Sequence, residues 1–328
     1  METSHRDAPG LASYLSLLTT MILFGAAFTS SKVVVGQLPH GVAAALRFGG
    51  AAVILVVVLC LRPGSMRFSW RDLRRAGSIG LIGITAYNFF FFWGLTLAPA
   101  IDGSIIVPVL APVLTALFFL VTGREPASPS RITGLVLGVA GSVVFFAGIG
   151  GAGSAASGGR FAGDLLYLAG AACWATYSIL SKKVLSTIEP LRATTYATGM
   201  GALALIVIAV PPVAGTDWSS VSAVTWANVV FLAVGPTAIA YLLYYRALRS
   251  VSPVTATIAM FVAPVFGTVS SVIFLGESFG TVQLIGALIT VAGAILAIGV
   301  INEKKVARDR SPVAARPQAR RKHSRAAH

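Results

Sequence analysis

Long apolar runs separated by short polar breaks dominate the chain. Ten such runs occur, and each is long enough to cross the hydrocarbon core of a bilayer, which takes about 20 helical residues. The breaks, such as 37–41 and 211–217, are rich in Gly and Pro, which end helices. We predict spans at residues 13–35, 42–61, 77–97, 103–122, 131–149, 164–184, 193–213, 226–247, 253–274 and 281–301.

The composition agrees with a membrane protein. Hydrophobic residues make up 56% of the 328 residues, charged residues only 11%, and the mean hydropathy is +0.83. A soluble domain of this length needs more charge to cover its surface. Cys60 and Cys173 lie inside apolar runs and give no disulfide framework. The first run lacks a small-residue cleavage site, so we expect no cleaved signal peptide.

The positive charges lie mainly in short loops and in the tail after Glu303. The net charge of +14 alone would suggest nucleic acid, but a basic fringe on an apolar body favours an anionic lipid leaflet as partner. With the N-terminus inside, 22 of the 25 Lys and Arg residues fall on the inner side, and Arg160 alone lies in an outer loop. One missed span would invert every later loop. We therefore predict a multi-pass protein of the cell inner membrane with both termini in the cytoplasm, and no nucleic-acid partner.

An internal repeat organises the spans. A shift of 152 residues superposes Gly83 on Gly235 and Pro112 on Pro264. Each unit holds five spans, an odd number, so the two copies must face opposite ways, as in many secondary transporters. The predicted fold is an all-α membrane protein of ten transmembrane helices arranged as two inverted five-helix repeats. Its parts are a cytoplasmic N-terminus (1–12), a first repeat (13–149), a Gly/Ser-rich external linker (150–163), a second repeat (164–301) and a basic cytoplasmic tail (302–328).

Several motifs resemble those of EamA-type transporters of the drug/metabolite transporter superfamily. Residues 24–28 with Lys32 are similar to the family's first-helix signature, and residues 174–182 look like its second copy. Residues 44–48, 244–248, 263–264 and 275–277 resemble further family motifs. The resemblance implies two EamA-like repeats and an exporter of amino acids or other small metabolites. Phe24 and Ala27 replace the family's Trp and Asn, so polar contacts from the first helix are expected to be missing.

Acidic and histidine side chains avoid the middle of the predicted spans. None of the eleven acidic residues or four histidines falls at a midplane, so transport without a buried carboxylate is the simpler expectation. Coupling would otherwise have to use Asp102, Asp164, Glu125 or Glu277, near span ends. We see no metal-ligand cluster, nucleophile–His pair or phosphate-binding loop, so we expect no enzyme activity, no cofactor and no metal site.

Uncharged polar and aromatic residues occupy the middle of spans 3, 6 and 8. Such a face suits an amphipathic organic molecule, although Ser and Thr also hold membrane helices together. The predicted substrate pathway comprises Asn88, Tyr87, Thr85, Trp93, Trp174, Tyr177, Ser178, Thr237, Tyr241 and Tyr245.

Two cations and two prolines complete the candidate site. Arg47 and Lys32 lie several residues inside spans 2 and 1, where they either form a vestibule for a substrate carboxylate or snorkel to the interface. Arg47 is the better candidate because a guanidinium can hold a carboxylate through two hydrogen bonds. Pro112 and Pro264 are equivalent in the repeats and are either paired helix bends that permit rocking or static kinks. Spans 5 and 10, rich in Gly and Ala, are expected to be scaffold.

Together these features predict a secondary transporter that exports a small polar or amphipathic, amino-acid-like metabolite by alternating access. A multidrug or toxic-compound efflux carrier is the alternative, followed by a channel or a membrane-embedded enzyme. A small-molecule substrate and the lipid bilayer are the expected partners, and a homodimer is left open.

Overall fold

The computed structural model describes residues 11–62, 69–122, 129–150, 157–185, 187–248, 262–278 and 280–298. Within these ranges every regular element is a helix. Lipid offers no hydrogen-bond partner to a peptide group, so an apolar chain satisfies its backbone internally by forming helices. The prediction of an all-α membrane fold is confirmed.

Ten helical stretches follow one another along the described chain. Five of the described helices meet the length and hydropathy of a membrane span by themselves. The stretches are α1 (Leu11–Val35), α2 (His40–Leu61), α3 (Trp70–Leu97), α4 (Ala100–Val121), α5 (Pro129–Gly150), α6 (Ser157–Leu185), α7 (Pro190–Val213), α8 (Ala223–Leu232, Ala233–Ile239 and Ala240–Leu248), α9 (Val262–Leu275) and α10 (Thr281–Ile298).

Two helices begin well before the predicted spans. In α3, Ser69 caps the helix by accepting a hydrogen bond from the Asp72 backbone N–H at 3.2 Å, and the arginine-rich first turns continue as helix beyond the apolar run. In α6 the helix starts at Ser157, so the second half of the expected linker is helical. Hydropathy locates the apolar run, whereas the helix extends into polar residues on either side of it.

A π-helical turn interrupts α3 at Leu81–Ala86 and α8 at Ala233–Ile239. The two turns begin 152 residues apart, at equivalent positions of the repeats. In α8, Pro236 lacks a backbone N–H, which suits a widened turn. In α3, a side chain on Gly83 would begin 2.2 Å from ring atoms of Tyr177, so glycine is required there for α6 to approach.

The two repeats are interleaved rather than packed as separate units. The main contacts join α2 to α7, α5 to α10 and α4 to α9, each pair being made of equivalent helices. The remaining major contacts also match between the repeats. The contact of α1 with α9 corresponds to that of α6 with α4, and the contact of α1 with α8 to that of α6 with α3. The contact of α2 with α8 corresponds to that of α7 with α3. This pattern is what a two-fold axis between the repeats produces, and the core lies between them.

Glycines allow α5 and α10 to pack with their backbones in contact. A Cβ on Gly141 would lie 2.4 Å from the Thr290 backbone nitrogen, and one on Gly286 would lie 2.3 Å from the Phe145 backbone nitrogen. A Cβ on Gly293 would similarly meet backbone at 2.3 Å. The small residues of spans 5 and 10 therefore lie at a close helix–helix contact, which is the usual way to join helices in lipid.

One end of the bundle is here called the linker face. It consists of the turns at 36–39, 98–99, 214–222 and 276–278 together with the start of α6. The distribution of Lys and Arg predicts that this face is external. The orientation in the membrane stays a prediction.

We predict that Gly141→Leu destabilises the protein, because a side chain has no room between α5 and α10. Overpacking costs about 1–3 kcal/mol, so the melting temperature of the purified protein in detergent should fall by several degrees. The matched control is Ala140→Leu, at an exposed neighbouring position of α5. Equal melting temperatures for the two variants would contradict this packing.

Candidate functional site

An apolar cavity lies in the middle of the bundle, between α1, α2, α3, α4, α6, α8 and α9. The empty space between its walls, together with the solvent at its opening, amounts to about 630 Å³. Helices α5, α7 and α10 contribute nothing to its lining among the described residues. Its ring-bearing and charged lining residues are Phe24, Phe28, Arg47, Phe48, Tyr87, Phe91, Trp174 and Tyr241.

Arg47 is the charged residue of this cavity. It lies on α2 and is only 7% exposed. Its Nε donates a hydrogen bond to the Thr237 Oγ1 at 3.1 Å, and its Cζ lies 5.0 Å from the centre of the Phe48 ring and 5.9 Å from that of Phe92. Among the described residues, no carboxylate comes within ion-pair distance of Arg47. A buried cation without a counter-ion is costly in a membrane protein, and such a residue usually serves function.

The π-helical turn of α8 presents the partner of Arg47. The Thr237 hydroxyl donates to the Leu232 carbonyl at 2.8 Å and at the same time accepts from the guanidinium. Because a hydroxyl can donate and accept together, Thr237 fixes the cation without leaving its own proton unpaired.

The first repeat uses the equivalent groups differently. Thr85, the counterpart of Thr237, donates to the Gly201 carbonyl at 3.0 Å and joins α3 to α7. Superposing Pro39 on Pro190 places Arg47 opposite Thr198, so the second repeat has no matching cation. The charge of the cavity thus breaks the symmetry of an otherwise paired framework.

Four of the predicted site residues line the cavity: Arg47, Tyr87, Trp174 and Tyr241. The rings of Tyr87 and Trp174 are centred 5.3 Å apart, and those of Phe24 and Tyr241 5.7 Å apart. These two ring pairs, one from α1 and α8 and one from α3 and α6, form the aromatic wall of the cavity. Thr237 lies behind this wall as the partner of Arg47.

Other predicted pathway residues lie outside the cavity lining. Asn88 is 1% exposed, and its Nδ2 donates to the Ile84 carbonyl at 2.8 Å. Trp93 is exposed and stacks on His40, with ring centres 5.9 Å apart. Tyr177 packs on Gly83, and the Ser178 hydroxyl donates to the Trp174 carbonyl at 2.8 Å. Their observed contacts are those of helix packing.

Lys32 also lies away from the cavity. Its Nζ donates to the Leu95 carbonyl at 2.5 Å and to the Ala98 carbonyl at 2.7 Å. These carbonyls belong to the C-terminal end of α3, where a cation satisfies unpaired acceptors and the helix dipole. Lys32 therefore ties α1 to α3 at the linker face, instead of snorkelling or facing the cavity.

Some predicted residues have undescribed side chains or lie outside the described residues. Pro112 lies inside α4 and Tyr245 inside α8, but the structure describes neither side chain, and Glu125 lies outside the described residues. Pro264 is buried near the start of the described part of α9. The role of the two prolines as hinges stays a prediction.

The sequence patterns did not identify the phenylalanines that line the cavity. Phe24, Phe28 and Phe48 occur in the motifs that pointed to the family, but a phenylalanine in an apolar span gives no sign of which way it faces. Phe91 lies among five aromatic residues in succession, 89–93, and only packing separates it from the others.

A model of the EamA-like transporter family matches residues 11–147 and 161–299. The chain belongs to the EamA-like transporter family. The two matched segments cover α1–α5 and α6–α10, so the family assignment reproduces the two five-helix repeats. It is a multi-pass membrane transporter of the drug/metabolite transporter superfamily.

Relatives of the chain are transporters too. It is 28% identical over 295 residues to "Uncharacterized transporter YyaM" of Bacillus subtilis, covering 89% of this chain and 95% of that one. It is 25% identical to a "Probable terminal-alkyne amino-acid exporter" of Streptantibioticus cattleyicolor, covering 90% and 95%. It is 31% identical over 225 residues to "Aromatic amino acid exporter YddG" of Ancylobacter novellus, covering 66% and 74%.

A solved crystal structure shares the fold. It superposes with a TM-score of 0.60 at 24% sequence identity, and the match covers 90% of this chain and 98% of the other. The likeness at this identity concerns the architecture.

We predict that Arg47→Met leaves the melting temperature of the EamA-like transporter unchanged or raises it. Methionine fills a similar volume without a charge to desolvate, and replacing a buried cation by an apolar residue is often neutral or stabilising. Thermal unfolding in detergent would measure this, with Arg75→Met, at an exposed position of α3, as the control. A large loss of stability specific to Arg47→Met would show that the cation serves the fold.

Proposed function

We propose that this transporter exports a small amphipathic carboxylate of the amino-acid class by alternating access through the central cavity. The observation that carries the proposal is the Arg47 guanidinium, buried at an aromatic cavity without an acidic partner among the described residues. A transported carboxylate would supply the missing counter-ion.

The chemistry of Arg47 favours an anionic oxygen pair. Its Nε is occupied by Thr237, whereas the two Nη groups make no hydrogen bond among the described residues. A guanidinium binds a carboxylate through charge-assisted hydrogen bonds, which are shorter and roughly twice as strong as neutral ones. The apolar walls strengthen this attraction because they exclude water.

The aromatic wall would contact the hydrophobic part of the substrate. The rings of Phe24, Tyr87, Trp174 and Tyr241 offer apolar and π surfaces within the same cavity as the cation. Aromatic rings add about 0.5–1.5 kcal/mol per well-placed ring pair beyond area burial. The relatives named "Aromatic amino acid exporter YddG" and "Probable terminal-alkyne amino-acid exporter" support an amino-acid substrate class here too.

The same features argue against cationic drugs. A drug ammonium in this cavity would meet the positive charge of Arg47, and like charges in a low-dielectric site repel strongly. The multidrug alternative therefore needs a counter-charge that the described lining does not provide.

Inverted repeats are well suited to alternating access. A framework of equivalent contacts can exchange its two halves so that the cavity opens first to one face and then to the other. At the linker face, Lys32 ties the end of α1 to the end of α3. Release across this face is the proposed export step.

The test is transport by purified protein in liposomes. We expect wild type to carry phenylalanine, and also 3-phenylpropionate, which keeps the carboxylate, but not phenethylamine, which lacks it. Arg47→Met should lower carboxylate transport by roughly 10- to 100-fold, since a hydrogen bond to a charged group contributes about 1.5–3 kcal/mol.

Two further variants sharpen the assignment. Arg47→Lys keeps the charge but loses the paired donors, so an intermediate loss is expected, whereas Arg75→Met should transport like wild type. Wild-type rates in Arg47→Met, or preferred transport of phenethylamine, would overturn the proposed substrate class.

We also predict that Thr237→Val raises the KM for the carboxylate by about five- to tenfold, because Arg47 loses the acceptor that orients it, at a cost near 1 kcal/mol. The matched control is Thr85→Val, the equivalent residue in the first repeat, whose hydroxyl binds the Gly201 carbonyl away from the cavity. Concentration dependence of uptake measures both. An equal shift of KM in the two variants would mean that the effect is general loosening of the π-helical turns.

A further inference from the structure

A buried cluster of charged side chains lies at the linker face, outside the cavity. At its centre, Asp102 on α4 receives two hydrogen bonds from Arg160 on α6, one from Nε to Oδ2 at 2.7 Å and one from Nη2 to Oδ1 at 2.8 Å. Gln283 on α10 approaches the same carboxylate at 3.5 Å. This bidentate ion pair joins the two repeats at the linker face, and we call this paired arrangement the closed state of that face.

A second carboxylate of the cluster, that of Glu277, also has hydrogen-bond partners at both oxygens. Glu277 accepts the Ala100 backbone N–H at one oxygen and the Ile101 backbone N–H at the other, both at 2.8 Å. It thereby caps the N-terminus of α4, where a negative charge is favoured. Lys32, bound to the carbonyls at the end of α3, lies within electrostatic range of both Glu277 and Asp102.

Asp164 differs from these carboxylates. It lies on α6 one helical turn after Arg160, is completely buried, and neither of its oxygens has a hydrogen-bond partner among the described residues. Arg160 is turned to Asp102, so it makes no hydrogen bond to Asp164. Asp102 and Arg160 are the charged groups that act electrostatically on Asp164. Tyr167, on the same helix, lies within electrostatic range of Asp102 and Asp164.

The charges of the cluster balance without Asp164. Lys32 and Arg160 carry two positive charges, and Asp102 and Glu277 carry two negative charges. An ionised Asp164 would add an unpaired buried carboxylate beside Asp102, which is energetically costly. A proton on Asp164 removes that cost, so the closed linker face is stable with Asp164 protonated.

Opening of this face would change the surroundings of Asp164. The N-terminal half of α6 packs tightly on the α3–α4 turn, since a Cβ on Gly163 would lie 2.6 Å from the Ala98 Cβ. The Tyr167 hydroxyl donates to the Pro99 carbonyl at 3.2 Å. Moving α6 away from this turn admits water, breaks the Arg160–Asp102 pair and leaves the guanidinium one turn from Asp164.

We propose that Asp164 is a proton-binding site that locks the linker face: the closed face holds the proton, and opening releases it. The proposal goes beyond substrate transport, because the locking proton is bound outside the substrate cavity. It also gives a transporter without a midplane carboxylate a means of responding to a proton gradient.

The sign of the pH effect follows from the proton count. The closed state binds one proton more than the open state, so raising the pH favours opening. For one proton, the closed-to-open ratio falls by up to tenfold per pH unit.

The experiment measures opening without any substrate, so its outcome does not depend on the proposed function. Nitroxide labels are placed on cysteines at Gly158→Cys on α6 and Thr96→Cys at the end of α3, in a background with Cys60→Ser and Cys173→Ser. Both label positions are exposed. Electron paramagnetic resonance then gives the distance between the labels in liposomes from pH 5 to pH 9.

We expect a single short distance at low pH and a growing population of a longer one as the pH rises. Asp164→Asn, which resembles the protonated acid, should keep the short distance throughout, whereas Asp164→Glu should restore the pH dependence. The control Asp217→Asn, at an acid of the 214–222 turn on the same face, should behave like wild type. A distance that ignores pH in wild type, or an unchanged pH response in Asp164→Asn, would overturn the proposal.

Discussion

The scarcity of hydrogen-bond partners in lipid governs the whole molecule. It forces the backbone into helices, and it makes each buried polar side chain either find a partner or carry a charge at high cost. Glu277 and Lys32 meet this demand by binding the free N–H groups of α4 and the free carbonyls of α3. Arg47 and Asp164 are buried charged or ionisable groups that do not fully meet it among the described residues, and this is why we propose functional roles for them.

The repeat supplies the framework, and single departures from it supply the chemistry. Both repeats place a π-helical turn at the same point, and both use a threonine of that turn to reach across the axis. In one half the threonine binds backbone, as Thr85 does with Gly201; in the other, Thr237 binds a cation. A symmetric framework can exchange its halves at low energetic cost, whereas an asymmetric charge gives the cavity one preferred ligand.

The order of the helices could be predicted from the sequence, because bilayer thickness fixes the length of an apolar run and the loop charges fix the count of runs. The polar first turns of α3 and α6, which precede the apolar runs, could not. The site was only partly predictable. Arg47, Tyr87, Trp174 and Tyr241 stood out as polar or aromatic groups within spans, and they line the cavity. Asn88, Trp93 and Lys32 gave the same polar or aromatic signal, but their partners lie on neighbouring helices or on the preceding turn of the same helix. The phenylalanines of the cavity gave no polar signal. In a span that is apolar on every side, periodicity does not tell the cavity face from the packed face.

Helix α6 connects the proposed proton site with the proposed substrate cavity. Trp174, which lines the cavity, follows Asp164 by ten residues on this continuous helix, or about 15 Å along its axis. A rigid helix moves as one body, so a displacement that frees Asp164 from the α3–α4 turn also moves Trp174 against Tyr87, its neighbour at 5.3 Å. The proton at the linker face and the ligand in the cavity then act on the same element. Coupling between the proposed proton site and the proposed substrate site needs only that each favours a different position of α6.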